Sequence, residues 1–84
     1  MPVHAETTPN PNAMKFTVGV PVGGPATHSA GQSTGDPAAS DLLGLTGVVS
    51  VFMTADFVTV TKSADASWET LQPQCVAVLA DHYG

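Results

Sequence analysis

Two runs rich in β-branched and aromatic residues, Val48-Val49-Ser50-Val51-Phe52-Met53 and Phe57-Val58-Thr59-Val60-Thr61-Lys62, stand three residues apart and constrain this chain's fold more than any other feature. Side chains that branch at Cβ or carry rings fit a pleated, half-buried surface, so both runs read as strands. The connection between them, Thr54-Ala55-Asp56, is too short for anything but a hairpin. Strand side chains alternate between faces, so the register decides what is buried. If Met53 pairs with Val58 across an even-numbered connection, Val49, Val51, Met53, Val58 and Val60 share one face, and Phe52, Phe57, Thr59 and Thr61 share the other. A three-residue connection would mix the two sets.

A second pair of strands is expected on either side of Thr8-Pro9-Asn10-Pro11-Asn12. Val3 to Thr7 alternates apolar and polar residues, and Met14, Phe16 and Val18 do so after the turn. Two prolines with fixed φ, beside asparagines that tolerate left-handed geometry, make that segment a turn. Residues 19–36 are dense in Gly, Pro, Ser and Thr without a period, and are expected to form a flexible loop. Asp36-Pro37 then marks a helix start, with Asp as N-cap, Pro in the first turn, and Leu42, Leu43 and Leu45 as anchors. Gly44 or Gly47 ends it. A last helix begins near Ser67 and carries Trp68, Leu71, Cys75, Val78 and Leu79 at helical spacing. Pro73 removes a hydrogen bond there, so either the first turn is separate or the helix kinks. The expected architecture is α+β, a two-layer ββαββα domain: a four-stranded, mainly antiparallel sheet with both helices on one face. Met14, Phe16, Val49, Val51, Val58, Val60, Trp68, Leu71 and Leu79 are the expected core.

The ordered set Thr8-Pro9-Asn10-Pro11-Asn12 with Lys15-Phe16, Gly47-Val48 with Val51-Phe52, Asp56-Phe57-Val58-Thr59-Val60-Thr61-Lys62, and Trp68, Leu71 and Pro73 resembles the N-terminal domain of the Nfu (NifU-like) iron–sulfur cluster scaffold proteins. The resemblance spans nearly the whole chain apart from the stretch after Phe16. It implies a free-standing domain of that type, and hence a non-catalytic accessory part in iron–sulfur cluster assembly or delivery. In the full-length family the cluster belongs to a separate domain with a Cys-x-x-Cys motif, which this chain lacks. No cofactor is therefore expected on this chain alone, and a cluster is expected only through protein partners such as assembly factors. The alternative is a generic regulatory interaction module unrelated to iron–sulfur chemistry.

Size and charge narrow the remaining classes. Eighty-four residues make one domain, 1–84. With two Lys+Arg against seven Asp+Glu, the net charge of −5 argues against nucleic acid, whose affinity rests on cations displacing counterions. No stretch approaches the ~20 apolar residues of a membrane span, and the N-terminus lacks the basic and apolar regions of a signal peptide. One cysteine permits no internal disulfide. A soluble, cytoplasmic monomer is expected.

The chemistry-bearing side chains fit plainer roles. Cys75 reads as a small residue on the core face of a helix rather than as a cluster ligand. Cys75 and His82 share a helix face, but seven residues rise about 10 Å, too far for two ligands of one metal ion; His4 and His28 lie on other elements. Neither a Cys–His nucleophile pair nor paired carboxylates have a signature, and the Gly-rich segment matches no phosphate-binding motif. No enzyme is expected. What remains is a surface: Phe52 and Phe57, with Thr59, Thr61 and Lys15, on the sheet face away from the helices and beside His4 and Glu6.

Overall fold

In a computed structural model, which describes residues 3–30 and 35–83, five antiparallel strands and two helices form two layers. The strands are β1 (His4–Thr7), β2 (Ala13–Thr17), β3 (Ala26–Ser29), β4 (Val48–Thr54) and β5 (Phe57–Lys62), and the helices are α1 (Pro37–Leu43) and α2 (Trp68–Tyr83). The sheet order is β1-β2-β5-β4-β3.

The β4–β5 hairpin has the expected even register, with Met53 opposite Val58 and Thr54 opposite Phe57. Its two-residue connection puts Ala55 at φ 50°, a left-handed conformation that costs most residues energy. The inward row Phe16, Val58 and Met53 and the next row Met14, Val60 and Val51 join Leu42, Leu71, Cys75 and Leu79 in one buried cluster, so both helices pack on the same sheet face.

Four expectations are corrected. The sheet has five strands, and the order is βββαββα. The added strand, β3, lies inside the segment read as structureless: Ala26 pairs with Met53, Thr27 with Phe52, His28 with Val51 and Ser29 with Ser50. Edge pairing along β4 satisfies backbone groups whatever the side chains, so a Gly/Pro-flanked Ala-Thr-His-Ser run becomes a strand without any hydrophobic alternation. The part of that segment at residues 31–34 lies outside the described residues.

The third correction is Val49. It is 45% exposed, while Val48 is buried, because the register of β4 shifts by one between Val48 and Ser50. Such a bulge places two residues of one strand opposite one of its neighbour, which reverses facing beyond it. The fourth concerns the first turn of α2, which is not a separate turn: Pro73 lies inside one helix, Trp68–Tyr83. Only the hydrogen bond to the Glu69 carbonyl is forfeited, near the helix start, while Leu71, Cys75 and Leu79 at four-residue intervals anchor α2 to the sheet. Asp36 caps α1 as expected, its Oδ1 accepting from the amides of Ala38 at 3.0 Å and Ala39 at 3.2 Å.

Candidate interaction face

Alternation along five paired strands leaves the second sheet face without a helix over it. One row crosses every strand: Glu6, Lys15, Thr59, Phe52 and Thr27 stand opposite one another in turn. Beside it runs His4, Thr17, Phe57 and Thr54, and on the other side Ala13, Thr61, Ser50 and Ser29. All five side chains expected to form a binding surface, Phe52, Phe57, Thr59, Thr61 and Lys15, thus lie together on this face. The row of Lys15, Thr59 and Phe52 is continuous, and Thr61 is in the adjoining row.

Two contributors escape sequence reading. Val49 and Ser50 lie between the buried Val48 and Val51, so the bulge turns both outward. Thr27 joins through β3. Val49 and Phe52, at 45% and 38% exposure, are the exposed large hydrophobics among the described residues, and both belong to β4. Phe57 is half-buried, and the Lys15 ammonium sits 4.5 Å from its ring centroid. A cation held over a ring face is drawn by the ring's quadrupole, which also keeps the lysine stem lying along the sheet.

Lys15, Phe52, Phe57, Thr59 and Thr61 also belong to the pattern that carries the family resemblance, and others of that pattern assemble at the corner where β1 turns into β2 and β5 runs toward α2. Thr8 Oγ1 lies 2.9 Å from both the Asn10 and the Ala13 carbonyl oxygens and accepts from the Asn10 amide. Asn10 Oδ1 accepts from the Asn12 amide at 2.9 Å, an Asx turn that holds the two prolines in place. Lys62, only 8% exposed, donates from Nζ to Asn12 Oδ1 at 3.1 Å and to the Ser63 carbonyl at 3.3 Å. Trp68 Nε1 donates to the Pro11 carbonyl at 3.1 Å, and its ring tilts at 58° against Phe16 with centroids 6.2 Å apart. The corner residues staple the turn to the sheet and α2, which explains their spacing without a reaction. Asp56 lies at the other end of β5, where its carbonyl accepts from Val18 and Gly19.

The titratable groups do not converge. Cys75 is fully buried, and that burial pushes its thiol up to about 11, so it stays protonated at neutral pH and is a poor nucleophile or metal ligand. His82 Nε2 lies 2.8 Å from Asp41 Oδ2, joining α2 to α1, and His4 lies 3.9 Å from Glu6. His28, expected in a loop, is on β3 opposite Val51 and so on the helix side of the sheet. No group of three His, Cys, Asp or Glu among the described residues is placed to hold a metal ion. A surface pocket of about 430 Å³ is lined by Gly47, Ser63, Asp65, Ser67, Thr70 and Leu71, among others. The Ser63 hydroxyl donates to Asp65 at 2.7 Å and holds that carboxyl below the usual range, which makes it a weak base. No helix among the described residues is long and apolar enough to cross a membrane.

Residues 3–84 match the family described as Scaffold protein Nfu/NifU N terminal. The chain is similar to NifU-like protein 4, mitochondrial, of Arabidopsis thaliana, with 40% identity over 84 residues that make up 96% of this chain and 30% of the relative. It is likewise similar to the NFU1 iron-sulfur cluster scaffold homolog, mitochondrial, of Drosophila ananassae, at 38% identity over the same shares. The chain therefore spans about 30% of the length of these curated relatives. Among solved structures, the crystal structure of protein SAV1430 from Staphylococcus aureus superimposes with a TM-score of 0.79 at 34% identity, covering 93% of this chain and 98% of that one. The solution structure of SeR13 from Staphylococcus epidermidis gives a TM-score of 0.64 at 29% identity, covering 98% and 99%.

Proposed function

Because this chain belongs to the Nfu/NifU N-terminal family, we propose that it is a non-catalytic accessory domain in iron–sulfur cluster assembly or delivery, acting by binding other proteins through its outer sheet face. The observation that carries the reading is the placement of Val49 and Phe52, exposed on a face with no helix over it. Apolar side chains gathered on an otherwise polar surface are characteristic of partner sites.

The described residues do not fit a cluster of their own. Clusters need several thiolates, typically four, and the one thiol here is buried and protonated. The cluster is cargo held by a partner, and this domain recognises the proteins that carry it. It works as a monomer in a reducing compartment. We place it in the cytoplasm, while the plant and insect relatives carry the word mitochondrial in their names.

The test is capture from the native cell with wild type, Phe52→Ala and Phe57→Ala, each checked by melting temperature. Cluster-assembly proteins should be retained by the wild type. Truncating a central aromatic anchor typically costs ~2 kcal/mol or more, about a thirtyfold loss of affinity, so the variants should release them with little change in melting. Capture without any cluster-assembly protein, or equal retention by both variants, overturns the proposal.

A further inference from the structure

Resting on the reading that the outer sheet face docks a protein, we infer that the segment it receives carries a carboxylate about 10 Å from an apolar side chain. The carboxylate meets Lys15 and the apolar group covers Phe52 and Val49. Phe52 lies two interstrand steps from Lys15, through Thr59, and each step is ~4.8 Å, so the two backbone positions are about 10 Å apart and a lysine extended away from the Phe57 ring meets a carboxylate at that spacing.

Charge selects this occupant. The chain has two lysine or arginine side chains in all, and Lys62 is buried against Asn12 and Ser63, so Lys15 is the one such cation open to a partner. No carboxylate among the described residues lies within ion-pair distance of it. Glu6 stands opposite on β1 but is the neighbour of His4, while the Lys15 ammonium remains over Phe57. Apart from Glu6 opposite it and His4 at the β1 edge, the face around it is uncharged: Thr17, Thr59, Thr61, Thr54, Phe52 and Val49. The remaining acidic residues, Asp36, Asp41, Asp56, Asp65, Glu69 and Asp81, lie in the helices, in their caps or in turns. An acidic segment is repelled by those regions and accepted here, which gives orientation as well as contact.

The same argument disfavours the other occupants. A basic segment is drawn to the helix layer and repelled by Lys15. A second copy would place its own Lys15 on this face. Five strands ~4.8 Å apart and ~20 Å long offer roughly 500 Å², against ~800 Å² per partner in a standard stable interface.

The test uses the whole chain, labelled with ¹⁵N, and three ten-residue peptides that share one sequence with a leucine and differ only in holding Glu, Gln or Lys three residues away from it. Prolines at the intervening positions hold the peptides in polyproline II, whose three residues per turn put both side chains on one edge about 9 Å apart. The Glu peptide should shift the amide signals of Lys15, Thr59 and Phe52 and bind at least fivefold more tightly than the Gln peptide, and the Lys peptide should bind more weakly than either. Lys15→Met, which keeps the aliphatic cover over Phe57, should reduce the Glu peptide to the level of the Gln peptide. Phe52→Ala should weaken all three alike, and Glu6→Gln should preserve the ranking. Equal binding of the Glu and Lys peptides, no response on this face at millimolar peptide, or shifts confined to α1 and α2 overturns the inference. If capture of cluster-assembly proteins still depends on Phe52, the docking face stands and only its acidic partner falls. A sedimenting dimer dissolved by Phe52→Ala would instead assign the face to a second copy.

Discussion

The Lys62 ammonium and the Asn12 side-chain oxygen lie 3.1 Å apart, although fifty residues separate them in the chain. Lys62 also receives the backbone of the same turn, its amide donating to the Asn12 carbonyl at 2.7 Å. A nearly buried ammonium with neutral acceptors depends on each of them, because a desolvated charge that loses a partner retains its full demand for one.

Asn12→Ala should therefore lower the unfolding free energy by ~1–3 kcal/mol. Lys62→Met removes the charge together with its demand and should cost less, since exchanging a buried charge for an apolar group of similar volume is often close to neutral. Urea denaturation of both single variants and the double variant checks this. Strictly additive losses would show that the two side chains are not coupled.

The buried thiol makes stability fall with alkali. Burial pushes the Cys75 thiol up to about 11 in the fold from an ordinary 9.0, so between those values the folded state holds a proton that the unfolded chain releases. Its contribution is fully present below pH 9 and is lost as pH rises toward 11. Melting temperature measured from pH 8 upward should drop more steeply for wild type than for Cys75→Ala. Iodoacetamide at neutral pH should modify the unfolded chain and spare the native one.

The bulge in β4 makes adjacent valines unequal. Val48→Ala deletes about two methylene equivalents from the core and should cost ~2 kcal/mol, whereas Val49→Ala should stay within about 0.5 kcal/mol. Denaturant midpoints for the pair decide it, and a reversed ranking would place the bulge elsewhere.

Ala55 holds φ 50° in the β4–β5 turn. Glycine pays no Cβ penalty there but loses more freedom on folding, so Ala55→Gly should yield a net gain of ~0.5–1 kcal/mol. A loss of stability would show that the turn is not strained.

Legibility followed the strength of local patterning. Both hairpins, the Asp36 cap and the stripe of Leu71, Cys75 and Leu79 follow from alternation, capping chemistry and helical spacing, and so does the gathering of Phe52, Phe57, Thr59, Thr61 and Lys15 on one face. What stayed hidden is what neighbours impose. A bulge at Val49 leaves no trace in composition, because the run is β-forming in either register. The strand Ala26–Ser29 exists because β4 presents an edge to it. Pro73 reads as a breaker, and the packing of α2 outweighs the single hydrogen bond it removes. Val49, one of the two exposed large hydrophobics among the described residues, therefore reads as core from the sequence, and the Lys15 contact with Phe57 needs side chains from two strands brought side by side.

The strand order carries a kinetic consequence. The β1–β2 and β4–β5 hairpins join neighbours in the chain, but the sheet also joins β2 to β5, whose partners differ by forty or more in sequence number, as in Ala13 with Thr61 and Thr17 with Phe57. Isolated hairpins form in ~1–10 μs, yet neither buries a face until that long loop closes. Closure entropy grows slowly, by only ~0.6 kcal/mol for each doubling of loop length. The connections that flank β3 and α1 can thus lengthen at little thermodynamic cost, while the rate at which a newly made chain hides its apolar strands depends on them.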